Sequence, residues 1–141
     1  MRALLDSDFL IAFVDKDHVH HVQARTWLTA HLDQGWASCA VTQNACIRIM
    51  SLPFYSNRKS PKDVATAIQA TCGTPDHLYW TDEISLSDPT LFDLTGVNSK
   101  DLTDIYLLGL ATFHGGRLVT FDQGITTAAV LNARPHNLVI L

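Results

Sequence analysis

A chain of 141 residues, 47% hydrophobic and 17% charged, has the size of one domain and enough apolar side chains for a single buried core. Its three cysteines, Cys39, Cys46 and Cys72, are odd in number, widely spaced and set in apolar segments, which fits reduced thiols in a cytoplasmic setting better than a disulfide framework or a CxxC metal site. A formal charge of −4 argues against a protein that coats nucleic acid with Lys and Arg, yet leaves room for a nuclease whose metal ions meet the phosphate.

Short β-like runs alternate with helical stretches, the pattern of a parallel sheet covered by helices, so residues 1–141 are expected to form one three-layer α/β domain. Residues 2–5 read as a first strand, and Asp6 and Asp8 interrupt the apolar run in a way a signal peptide would not. No apolar stretch is long enough to cross a bilayer, so no membrane association is expected. A helix begins near Phe9 and reaches Val14. A second, over about 19–32, places Ala24, Trp27, Leu28 and His31 on one face before Gly35 breaks it. Residues 36–41 are a strand, and a helix from Thr42 runs through Ala45, Ile49 and Met50 until Pro53 ends it.

Ser60 and Pro61 look like an N-cap and first helical residue, opening a helix that ends at Gly73. Residues 77–80 are a third strand. Between 81 and 100 the pattern is weak; Ser87, Asp88 and Pro89 suggest a helix start and residues 96–99 a loop. Residues 102–113 are apolar nearly all round, which predicts a buried helix stopped by Gly115 and Gly116. A strand over 117–121, a short helix near 125–131 and a last strand over 138–141 complete the chain.

Two strands run directly into a carboxylate, at Leu5-Asp6 and Phe121-Asp122, and ligands of open parallel sheets sit at the carboxyl ends of strands. Either Asp alone is explained as a turn residue. Asp104 is less easily explained that way, because Thr103 can cap its helix and Asp101 already puts charge at the first turn. Crowded carboxylates raise one another's pKa unless cations neutralise them, and hard oxygen ligands suit Mg²⁺ or Mn²⁺.

Four segments in order, Leu4-Leu5-Asp6-Ser7-Asp8, Thr42-Gln43-Asn44-Ala45-Cys46-Ile47-Arg48, Leu102-Thr103-Asp104-Ile105-Tyr106-Leu107 and Gly115-Gly116-Arg117-Leu118-Val119-Thr120-Phe121-Asp122, resemble the motifs of PIN-domain ribonucleases, specifically the VapC toxins of toxin–antitoxin modules. That resemblance implies a Mg²⁺- or Mn²⁺-dependent endoribonuclease with Asp6, Asp104 and Asp122 as its catalytic and metal-binding acids. It further implies Ser7 and Thr120 beside the RNA, a homodimer held by helical faces, and a VapB-like antitoxin whose tail fills the cleft. The chain departs from the family pattern at Gln43, where a Glu is usual. Glutamine keeps an oxygen but loses a charge, so a second metal is put in doubt and Asp8 and Asp101 become substitute ligands. The same departure motivates an alternative, a catalytically weakened PIN scaffold that binds RNA or a protein without cleaving.

Arg48 and the basic run holding Arg58 and Lys59 are expected to contact phosphate beside the acidic cleft. His18, His20 and His21 form a cluster, but no Cys/His partner follows at zinc spacing. A receiver-like phosphoacceptor also gathers aspartates at strand ends, yet that fold needs a late lysine and the last one here is Lys100.

Overall fold

The computed structural model describes residues 1–141. Five parallel strands, β1 (Ala3–Leu5), β2 (Trp36–Cys39), β3 (His77–Trp80), β4 (Arg117–Thr120) and β5 (Leu138–Ile140), form one sheet in the order β3-β2-β1-β4-β5. In register, Leu4 of β1 lies between Ala37 of β2 and Leu118 of β4. This order differs from the 2-1-3-4-5 arrangement of receiver domains, which removes that rival on topology alone.

Helices α1 (Ser7–Val14), α2 (His21–Ala30), α3 (Ala40–Met50) and α4 (Pro61–Cys72) follow the first two strands. Side-chain alternation along β1 explains how they are used, because successive residues of a strand face opposite sides. Ala3 and Leu5 join Phe9, Leu10, Leu28, Met50, Val64 and Ile68 in the core under α1 to α4. Leu4 points the other way, into a second core with Ala37, Leu118 and the apolar face of α5 (Leu102–Phe113). With apolar residues required on both faces, β1 is buried at all three positions.

Helix starts follow local chemistry. Asp6 caps α1 by accepting the Ser7 N–H at 2.6 Å, and the Ser60 hydroxyl caps α4 by accepting the Asp63 N–H at 3.1 Å. Helix α3 starts at Ala40, two residues before the expected Thr42, because the Thr42 hydroxyl reaches back to accept the Cys39 N–H at 3.1 Å and so ends β2 early.

Two expected helices are absent. After Ser87-Asp88-Pro89 the chain makes a single turn, in which the Leu91 and Phe92 N–H groups both donate to the Asp88 carbonyl. It then leaves the helical path because residues 91–93 pair antiparallel with 129–131, through Asp93 N–H to the Ala129 carbonyl and Leu131 N–H to the Leu91 carbonyl, both at 3.0 Å. The same pairing keeps residues 125–131 from coiling. Phe92 is thereby driven into the second core, where its ring lies against Gly109 of α5.

Candidate active site

Parallel strands deliver their carboxyl ends to one edge of the sheet, and β1 and β4 are neighbours. Asp6 and Thr120 follow or end these strands on the α5 side, and Asp104 enters the same edge from the first turn of α5. The Thr120 hydroxyl, buried, donates to Asp6 Oδ2 at 2.8 Å and lies 3.2 Å from Asp8 Oδ2. Thr120 Oγ1 also accepts the Asp122 N–H at 3.0 Å, which fixes where Asp122 leaves the strand. Phe121 N–H donates to Asp8 Oδ2 at 3.1 Å, and Gly124 N–H to Asp122 Oδ1 at 2.8 Å. Ser7 adds its backbone N–H and, at 3.4 Å, its hydroxyl to Asp6 Oδ1.

Electrostatics show how close these acids are. Burial pushes the Asp104 carboxyl up to about 6, and the negative charges of Asp6, Asp122, Asp8 and Asp101 push it the same way. Burial also lifts Asp8 to about 6, with the charge of Asp6 adding to it while the Phe121 N–H opposes. Asp6 is raised by its burial against the lowering effect of its bonds to Thr120 and Ser7. No protein donor reaches Asp104, so its half-buried carboxylate faces the other acids uncompensated.

Asp104 and Asp122 open onto a cleft of about 610 Å³, walled by the loops around 93–98 and 122–129 and by the start of α5. Asp101 lines it too. Asp93, Asn98, Lys100 and Thr126 share its walls; the first three fall in the stretch of weak pattern between 81 and 100, and Thr126 in one read as a short helix.

Other expected site residues lie elsewhere. Gln43 lines a separate cleft with Ile68, Cys72 and His77, where its amide donates to the Ser38 hydroxyl at 2.8 Å. The basic residues are a correction: Arg48 sits in the last turn of α3, the Arg58 guanidinium donates to the Ser51 carbonyl, and the Lys59 N–H donates to the Met50 carbonyl. The loop that carries Arg58 and Lys59 is tied by Tyr55 and Asn57 to Asp15, at the C-terminal end of α1. Asp6 and Asp8 are at the other end of that helix, about 12 Å away at 1.5 Å per residue. A loop following a helix returns to the end of the sheet opposite the one where the helix began, so this cluster lies far from the acids. Glu83, the single glutamate, pairs with His114 at the C-terminal end of α5, also away from Asp104.

The donor set is chemically suited to a hard divalent ion: all its ligands are carboxylate and hydroxyl oxygens, and their mutual repulsion rewards a bound cation. No three acidic, His or Cys side chains are already drawn into a coordinating set. Asp122 and Asp104 keep free oxygens toward the cleft, and Asp6 and Asp8 are held by backbone and Thr120 donors.

A parallel sheet in this order, with carboxylates gathered where β1, β4 and α5 meet, defines an α/β domain of the PIN class. No family model matches the chain. It is 45% identical to Ribonuclease VapC44 of Mycobacterium tuberculosis over 145 aligned positions that cover all of both chains. It is also 35% identical over 131 positions to Ribonuclease VapC39 of the same organism, covering 92% of this chain and 94% of that one. The crystal structure of Mycobacterium tuberculosis VapC20, described as a sarcin–ricin loop cleaving toxin, superposes on 94% of this chain and 99% of its own with a TM-score of 0.63 at 13% identity, a likeness of fold. The chain belongs to the VapC ribonucleases, the toxins of VapBC toxin–antitoxin modules.

Proposed function

We propose that this chain is a Mg²⁺- or Mn²⁺-dependent endoribonuclease that cleaves RNA where Asp6, Asp104 and Asp122 converge. The observation that carries this reading is Asp104, a half-buried carboxylate with no donor, raised to about 6 among four other acids. Such an arrangement is unfavourable in an empty pocket and favourable around a cation. A bound divalent ion would polarise the phosphate and lower the pKa of its water. Asp6, Asp104 and Asp122 would hold it, and Asp8 would supply the charge that Gln43 lacks. Thr120 keeps Asp6 and Asp8 at a fixed spacing, while the amides of Phe121 and Gly124 orient Asp8 and Asp122. Ser7 adds a hydroxyl beside Asp6, at 3.4 Å from its Oδ1.

The partners follow from the same reading. A VapB-like antitoxin would inhibit by placing a tail in the cleft of about 610 Å³, and the protein would work in the cytoplasm as a homodimer. The test is Asp104→Asn. It should abolish metal-stimulated cleavage of RNA and abolish Mn²⁺ binding by calorimetry, while leaving the fold intact or raising its melting temperature, since a crowded charge is removed. Retained cleavage in this variant would sink the proposal.

The alternative, a scaffold that binds without cleaving, draws on Gln43, whose amide is engaged with Ser38 and Cys72 and not with a carboxylate. Metal binding without any cleavage in the unsubstituted protein would favour it.

A further inference from the structure

His20 occupies the position just before α2, where a Ser, Thr, Asp or Asn side chain would accept a backbone N–H. Its ring makes no capping bond and no other hydrogen bond, although the residue's own N–H donates to His18 Nδ1. The imidazole lies instead on Phe121, with ring centroids 4.8 Å apart and planes at 22°. Phe121 stacks in turn on Phe9, at 5.5 Å and 15°, and Phe9 is fully buried. The three rings form a column that starts in the core and ends at an exposed imidazole.

The column rises on the α1 to α4 side of the sheet, across β4 from the cleft, and touches the acids only through the backbone of Phe121. Phe121 stands between Thr120 and Asp122, and its N–H holds Asp8. Near His20 in sequence, Val19 and Val22 are 86% and 75% exposed, and the His18 ring lies 5.7 Å from the His20 ring, tilted by 40°. A flat, exposed ring held rigid from beneath suits a nucleobase. Bases of single-stranded RNA are unstacked and available, and stacking on a protein ring tolerates any sequence because every base has a π-face.

We propose that His20, backed by Phe121, is a stacking platform for a nucleobase of the single-stranded RNA substrate, on the strand where it passes over the α1 to α4 side of the sheet edge. The proposal rests on the acidic pocket being the cleavage site. It assigns His20 to binding and positioning of the strand, with no part in bond making or breaking.

The test uses a short single-stranded oligoribonucleotide carrying 2-aminopurine at successive positions, bound to the full chain in EDTA so that no cleavage occurs. Fluorescence should be quenched at one position. His20→Ala should abolish that quenching and weaken binding about fivefold to a hundredfold, the loss of one base stack. His20→Phe should restore both. An abasic nucleotide at the quenched position should erase the difference between His20→Ala and the unsubstituted protein, and the salt dependence of binding should stay the same, because no phosphate contact is removed. Equal binding by a folded His20→Ala, or failure of His20→Phe to restore quenching, would overturn the platform. Loss of cleavage in Asp104→Asn alongside unchanged binding in His20→Ala overturns the platform alone. Retained cleavage in Asp104→Asn overturns the cleavage site, while quenching that depends on His20 still supports the stack.

Discussion

One hydroxyl proton on Thr120 serves two carboxylates, so when it points at Asp6 the neighbouring Asp8 is left with backbone amides alone, those of Phe121 and Phe9. The consequence is a measurable dependence on pH. In the metal-free protein Asp8 and Asp104 titrate near 6, above the 3.8 of a free Asp, so the folded state binds protons more tightly than the unfolded one. Their contribution to stability is therefore fully present below about pH 4, declines as pH rises through 6, and is absent above it. Thermal melts in EDTA from pH 4 to 8 should show that decline, with Mg²⁺ restoring stability at the upper end; a flat profile would contradict the crowding. A second outcome concerns the missing glutamate. Because the Gln43 amide is occupied at Ser38, Gln43→Glu should leave Mn²⁺ affinity unchanged while Asp8→Asn lowers it, and calorimetry on both variants decides the matter. Strand-end acids were legible in the sequence because the apolar run itself points to the sheet edge. The placements of Gln43, Arg58 and Lys59 were not, since a motif fixes order along the chain and not the end of a helix to which the next loop returns.

At the scale of elements, the join between α5 and the segment before it depends on one glycine. A methyl group at Gly109 would come within 2.3 Å of the Phe92 ring, which is only 4% exposed and has nowhere to swing. Gly109→Ala should cost about 1–3 kcal/mol, typical of overpacking, despite the better helix propensity of alanine. It should also make the chain between 81 and 101 more sensitive to limited proteolysis; unchanged melting and cleavage patterns would show that Phe92 adapts. Helix α5 itself was read with its observed limits, 102–113, because apolar residues all round leave no other role and Gly115, at φ 65°, supplies its stop. Residues 87–89 were misread as a helix start because Ser87, Asp88 and Pro89 resemble a cap and first turn, and 125–131 was misread as a short helix. What prevents helix there is the pairing of Phe92 with Val130, a contact between distant segments that no local pattern reports.

Across the whole molecule, two cores share one sheet, and β1 and β4 lie between them. Amides of these strands should be the slowest to exchange with solvent, and those of 82–98 among the fastest, since the latter segment is held by few backbone bonds. Hydrogen exchange followed by mass spectrometry checks this, and early exchange of β1 would refute it. The cleft inherits the same division. Asp104 stands on α5 and Asp122 just after β4, whereas the rest of the wall is largely two loops bridged to each other at Phe92 and Val130. Mutations in those loops can therefore accumulate over evolutionary time without disturbing the acids, so descendants of one ancestral toxin could come to cut different RNAs while keeping the same chemistry.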